Sequence, residues 1–326
     1  MDRLVDDIAA RIRASRGMDG KRDIAGAVAA LGLDAAAASS AVAVGDDCAA
    51  IPDGDGWLLL AIEGFVDAFV AAEPWFAGYC GVMVNISDVA AMGGRPVAVV
   101  DALWAADEAA AGPVLRGLRE GAARYRVPVV GGHTNARSER GGLAVAVLGR
   151  AARLMTSFDA APGHDLVMAV DLRGAYRSDT STNWDASTTA PAERLRGDLD
   201  LLAEISEAGL CAAAKDISMA GTVGTAGMLF ECSGVGGTID LLAVPRPEGA
   251  DLHRWLASFP SFGFLLSVAP RDTAAVLARF AARGIAAARI GGVEAGHRLR
   301  ITDGRHAATV WDFAEEPLIG CGGARA

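Results

Sequence analysis

Residues 79–96 read YCGVMVNISDVAAMGGRP. Val82, Val84, Ile86 and Val89 give this stretch the apolar face of a helix, and Gly93-Gly94 before Pro96 ends it. Glycine takes the left-handed turn a helix end needs, and proline cannot continue the hydrogen-bond ladder. Asn85 and Asp88 stand three apart and share one face. A core helix carrying an amide and a carboxylate must find partners for both, because burying either unpaired is costly. Backbone groups or a basic side chain would serve as partners, and so would a bound ligand.

Upstream, WLLLAIEG (57–64) is an apolar strand with Glu63 near its end, a position suited to a hard cation held by oxygen ligands. Before it, AVAVGDDCAAI (41–51) reads as a strand-like run that stops at Gly45 and presents Asp46 and Asp47. Neighbouring carboxylates repel unless cations or donors compensate them, although Gly-Asp-Asp also suits a plain polar turn. Downstream, VPVVGGHTNARSERGGLAVAVLG (127–149) is read as strand, Gly131-Gly132-His133-Thr134, and strand. Paired glycines let backbone N–H groups approach phosphate oxygens, and Thr134 adds a hydroxyl; a lone His133 in a loop is a weak signal. In CAAAKDISMAGTVGTAGMLFECSGVGG (211–237), Asp216 and Ser218 stand at the start of a Gly-rich helix. Such a helix start favours an anion, with Ser218 as a capping group and Asp216 as either a cap or a metal ligand.

Short β-rich runs alternate with helical ones on both sides of TSFDAAPGHD (156–165), the best boundary candidate. The reading is an α/β or α+β layer fold with an N-terminal helical segment over 1–35, a first domain over 36–155 and a second over 156–326. Leu4, Val5, Ile8 and Ile12 form the apolar face of the first helix. SDTSTNWDASTTAP (178–191) is polar and reads as an exposed loop or lid.

With 326 residues, 52% hydrophobic and 21% charged, the chain has material for a large core and two domains. A formal charge of −10 argues against nucleic acid as a partner. No segment holds 18 successive apolar residues, and the charged start MDRLVDDIAARIRASRG lacks a signal-peptide core, so no membrane contact and a cytoplasmic location are expected. Five cysteines without CxxC spacing suit a reducing compartment better than disulfides or zinc. Walker, dinucleotide-binding, HExxH and GxSxG motifs are absent.

The order GDDCA, IEG, NISDVAAMGGRP, GGHT and KDIS, over roughly residues 41–270, resembles the superfamily of AIR synthetase, thiamine-monophosphate kinase, selenophosphate synthetase and a carbamoyl-dehydrating hydrogenase maturation factor. The resemblance implies a two-domain PurM-like fold, a homodimer formed through N-domain sheets, and ATP with Mg²⁺ as cofactor. It implies Asp46, Asp47, Glu63, Asp88 and Asp216 around the metal, with Asp47, Asp88 and Asp216 carrying catalysis. Gly45, Asn85, Gly131, Gly132, His133, Thr134 and Ser218 would meet ATP. The chain departs from individual members. Residues 1–47 lack the cysteine of selenophosphate synthetase, and Val70 and Met219 replace a histidine and an aspartate of the kinase. Cys321 is followed by five residues, whereas the maturation factor ends in its cysteine. The expected function is ATP- and Mg²⁺-dependent phosphoryl transfer to an oxygen of a small-molecule acceptor. The alternatives are a kinase resembling thiamine-monophosphate kinase and a catalytically weak nucleotide-binding or regulatory subunit.

Overall fold

A computed structural model describes residues 2–33 and 42–322, and the chain groups into two compact units interleaved in sequence. Residues 48–154 with 189–204 form one; residues 1–47, 155–188 and 205–326 form the other.

The first unit is a five-stranded sheet of β1 (Ala49–Asp53), β2 (Gly56–Phe65), β3 (Arg95–Trp104), β4 (Val129–Asn135) and β5 (Gly142–Ala151), in the order β1-β2-β5-β3-β4. All neighbours are antiparallel except β3 and β4. The run 41–44 is not the strand expected from its sequence: Ala41 lies outside the described residues, residues 42–44 are irregular, and β1 begins only after the aspartate pair. Its alternation is overridden by Gly45, whose φ of 119° breaks an extended chain.

One face of this sheet carries the helix Pro74–Ala91, with proline in its first turn, where its missing N–H costs nothing. Gly93 closes it at φ 74°, with Gly93 N–H bonding Ala90 O and Gly94 N–H bonding Val89 O, both at 2.9 Å. The sequence suggests one apolar face, but every residue from Phe76 to Ala91 is buried. This is possible because Glu108–Tyr125 covers the helix on its far side at very short range. A Cβ on Gly117 would overlap Trp75 O, and one on Gly78 would overlap Val114 O, so glycine alone lets the two backbones touch.

The second unit is built on a seven-stranded sheet: β6 (Asp165–Val170), β9 (Ala213–Asp216), β10 (Gly236–Asp240), β12 (Gly263–Val268), β13 (Ala286–Glu294), β14 (Arg298–Thr302) and β15 (Ala307–Asp312). Its order is β15-β14-β10-β13-β6-β12-β9. Helix Gly221–Ser233 packs into its core through Val223, Ala226, Leu229 and Phe230. Helix Asp2–Arg13 joins the same core through Val5, Ile8 and Ile12, but Leu4 is 56% exposed, one position off the buried stripe.

Within the stretch 178–191, expected to be an exposed loop or lid, Asn183–Asp185 forms a strand. β7 (Ala175–Tyr176), β8 (Asn183–Asp185) and β11 (Phe259–Pro260) form a three-stranded sheet. Arg254 Nη2 donates to Ser178 O and Ser181 O, each at 2.7 Å, while Trp184 is buried edge-on against Trp255. The nine polar residues of 178–188 around one anchoring tryptophan hide this strand from a reading based on composition.

The glycine contact between helices gives a direct test. Gly117→Ala should destabilise the first unit by roughly 1–3 kcal/mol through overpacking, read as a lower urea midpoint at unchanged slope. An unchanged midpoint would refute the close approach.

Candidate functional site

The acidic pair lies in the second unit, where it is held by short bonds. Asp46 accepts from Ser157 N–H at 2.8 Å, Ser157 Oγ–H at 2.7 Å and Asp47 N–H at 2.9 Å. Asp47 accepts from the ammonium of Lys215 and, at 3.4 Å, from Asp216 N–H. Ser157 is itself fixed, since its carbonyl accepts from Ser233 Oγ at 2.8 Å and Ser233 Oγ accepts from Ala160 N–H at 3.0 Å. The side chains of both Lys215 and Asp47 are 6% exposed, so this is a buried ion pair.

Burial, then the Asp47 charge, pushes the Asp46 carboxyl up to about 6, against the pull of Lys215 and Ser157. Burial alone would lower the Lys215 ammonium, but the Asp47 and Asp46 carboxylates hold it well above its usual value. Asp216 ends β9 and is buried, and an oxygen of its carboxylate lies within 4.8 Å of one on Asp47. An all-oxygen donor set with net negative charge fits a hard divalent cation.

Gly45 explains how two adjacent aspartates reach this place. A Cβ there would overlap Cys321 Cβ, and Cys232 Sγ lies 3.7 Å from Gly45 O. The segment bearing Cys321 is pinned because the Glu231 carboxylate accepts from the N–H groups of Leu318 (2.8 Å), Ile319 (2.7 Å) and Gly320 (3.3 Å). Burial pushes the Cys321 and Cys232 thiols up, so neither is poised as a thiolate nucleophile. Cys321 packs against the aspartate turn.

Ser218 does not cap the Gly-rich helix. That helix starts at Gly221 after Ala220, without a side-chain cap, and Ser218 N–H donates to Thr225 Oγ1 at 3.3 Å. Its hydroxyl is buried and has no hydrogen-bond partner among the described residues.

In the first unit, Asn85 and Asp88 are both buried on the Pro74–Ala91 helix. Asn85 Nδ2 donates to Gly81 O at 2.8 Å, and Asn85 Oδ1 has no hydrogen-bond partner among the described residues. Gly81 rests on Val145 of β5, and the sheet register sets Glu63 of β2 and Asp101 of β3 on either side of Val145. Glu63 does not close a buried strand as its sequence suggests: it is exposed, and β2 runs on to Phe65. It shares with Asp101 the side of the sheet that faces the helix.

The GGHT element is not a loop but the middle of β4, an exposed edge strand. Strand alternation sends His133, whose ring lies 6.3 Å from that of Trp104, to the face opposite Gly132 and Thr134. The His133 and Thr134 side chains therefore point to opposite faces of the strand.

Asp101 and Lys215 are the site residues that sequence reading misses. A Cβ on Gly132 would overlap the Asp101 carboxylate, whose Oδ2 is buried without a hydrogen-bond partner among the described residues and whose pKa is raised by burial. The available signal was one aspartate inside the apolar run VAVVDALW. Lys215 carried the same kind of signal, a charge in AAAKD.

Two family models match the chain: AIR synthase related protein, N-terminal domain, over residues 45–151, and its C-terminal domain over residues 176–304. The chain belongs to the AIR synthase related family. The superfamily and the PurM-like fold expected from the motifs are thereby borne out. A Synechocystis sp. relative, sll0787, is 48% identical over 280 residues, 86% of this chain and 87% of its own. Among solved structures, T. maritima PurL complexed with ATP aligns at TM-score 0.70 and 20% identity over 84% of this chain, which spans 46% of the PurL chain. AaThiL complexed with AMPPCP and TMP aligns at TM-score 0.65 and 19% identity over 87% of this chain and 96% of its own. Likeness at these identities concerns the fold. No helix among the described residues is long and apolar enough to cross a membrane.

The Asp46 carboxyl makes a pH prediction for this AIR synthase related chain. Its folded value of about 6 lies above the ordinary 3.8, so its contribution to stability is full below about pH 4 and is lost as pH rises through 6. The wild-type stability minus that of Asp46→Asn should fall between pH 4 and 7 by up to about 3 kcal/mol. Urea titrations at four pH values measure it, and a flat difference would contradict the burial of this group.

Proposed function

We propose that this protein binds ATP with Mg²⁺ and transfers a phosphoryl group to an oxygen of a small molecule. The observation that supports the reading most is the pair Asp47 and Asp216, whose carboxylate oxygens lie within 4.8 Å of one another, with Lys215 as counter-charge and Asp46 beside them. In this reading Asp47, Asp216, Asp46, Asp88 and Glu63 hold the metal, and Asn85, Gly45, Ser218, Gly132 and Thr134 meet the nucleotide. When bound, the cation supplies charge neutralisation for the phosphates. The chain's own groups align donor and acceptor, hold the carboxylates in fixed geometry and exclude water.

A specific second reading comes from the ThiL likeness, where the partner ligand in the solved structure is TMP. Against a phosphomonoester acceptor of that type stands Met219, which is 60% exposed where the kinase carries an aspartate. Phosphorus NMR of ATP with Mg²⁺, protein and candidate acceptors separates the outcomes. ADP with a phosphorylated acceptor, a phosphoester from a hydroxyl or a diphosphate from a phosphomonoester, marks a kinase, ADP with free phosphate a synthetase, and unchanged ATP despite tight binding a regulatory subunit. Asp88→Asn should lower turnover about 100-fold or more while the circular dichroism melt stays within a few degrees. Full activity in that variant would remove Asp88 from the site.

The same reading includes a homodimer. On the sheet face away from the buried helix, Leu60 and Ile62 of β2 line up with Ala146 and Leu148 of β5 and with Val100 of β3. Ile62 is 69% exposed, and an apolar face of this kind is unusual in a monomer. We expect Ile62→Glu to convert a dimer into monomers in light scattering; a wild-type monomer would overturn the dimer.

A further inference from the structure

The chain contains 28 arginines and two lysines, and one of the two, Lys215, is buried against the acidic pair. Everywhere else in the described structure, the cation paired with a carboxylate is arginine or histidine. Guanidinium is a planar, rigid fork that favours fixed bidentate pairing, whereas ammonium is a compact point charge on a flexible stem that exchanges partners readily.

Lys215 Nζ reaches one carboxylate oxygen of Asp47 and lies 3.5 Å from Ser157 Oγ. Among the described residues, the other Asp47 oxygen accepts from Asp216 N–H at a long 3.4 Å. The Asp47 oxygen nearest Asp216 lies within 4.8 Å of it. The ammonium therefore sits on a carboxylate that the reading above gives to the metal. Asp46, by contrast, has Ser157 N–H, Ser157 Oγ and Asp47 N–H as fixed donors and does not depend on the lysine for hydrogen bonds.

We propose that Lys215 is a tethered counter-cation: it neutralises Asp47 while no divalent cation is bound, keeps the site assembled, and competes with the incoming cation for that carboxylate. The proposal rests on the assignment of Asp47 and Asp216 as cation ligands. It makes Lys215 a positioning residue that sets cation affinity. Removing its charge leaves two uncompensated carboxylates, which destabilises the empty protein and strengthens the attraction for an added cation. Both effects act in the same direction on cation-induced stabilisation.

The experiment compares wild type, Lys215→Met and Lys215→Arg at pH 8, by melting in EDTA and in Mn²⁺ and by calorimetric Mn²⁺ titration without nucleotide. Lys215→Met should melt lower in EDTA, show a larger Mn²⁺-induced rise than wild type, and bind Mn²⁺ at least about tenfold more tightly. Lys215→Arg, which keeps the charge but pairs as a rigid fork, should melt as wild type does in EDTA and show a smaller Mn²⁺-induced rise. A Lys215→Met response equal to or smaller than that of wild type overturns the proposal, as does a variant unfolded in both buffers. If wild type and both variants all ignore Mn²⁺, the cation-site assignment itself is at fault. A wild-type response lost in Asp216→Asn but unchanged in Lys215→Met keeps that assignment and removes the lysine's role.

Discussion

Two adjacent aspartates stay in a protein interior only when donors and a cation surround them, because an isolated buried charge is driven to neutralise. Here the surroundings come from four separate stretches of chain. Ser157 brings two donors, Lys215 the positive charge, Ser233 orients Ser157, and Cys321 packs against the turn at Gly45. The second unit's sheet and Gly-rich helix are the scaffold on which these groups converge. The local geometry of residues 45–47 is thus a tertiary property, and the turn would not hold its shape alone.

The first unit solves a different problem, namely how to bury a helix bearing an amide and a carboxylate on all sides. Glycines do it by shortening distances. Gly78 and Gly117 bring two helix backbones into contact, while Gly81 and Gly149 let Val145 and Val89 close the gap between helix and sheet. Fixed in this way, Asn85 and Asp88 have little rotational freedom. Glu63 and Asp101, one on each side of Val145, bring two further carboxylates to the same side of the sheet.

Much of this was legible in the residues. The helix over Pro74–Ala91, its glycine stop and the choice of Asp47, Asp88 and Asp216 as candidates followed from spacing and chemistry local to each motif. What was not legible depended on partners distant in sequence. The run 41–44 alternates like a strand, yet its residues 42–44 are irregular, and GGHT looks like a loop until β3 pairs with it. Ser178–Ser187 looks solvated until Arg254 and Trp255 pin it. Asp101 and Lys215 escaped notice because a single charged residue in an apolar run has no periodicity, and its meaning lies in what faces it.

The clamp formed by Glu231 on residues 318–320, with Cys321 against Gly45, carries a consequence for biogenesis. Contacts between segments so far apart in sequence form late, since closing a long loop costs entropy before the contact rewards it. A nascent chain can assemble the first unit's helix and sheet while still on the ribosome. Its aspartate turn lacks the Cys321 support until that residue has left the exit tunnel. A truncated product would then carry a folded first unit and an unfinished acidic turn.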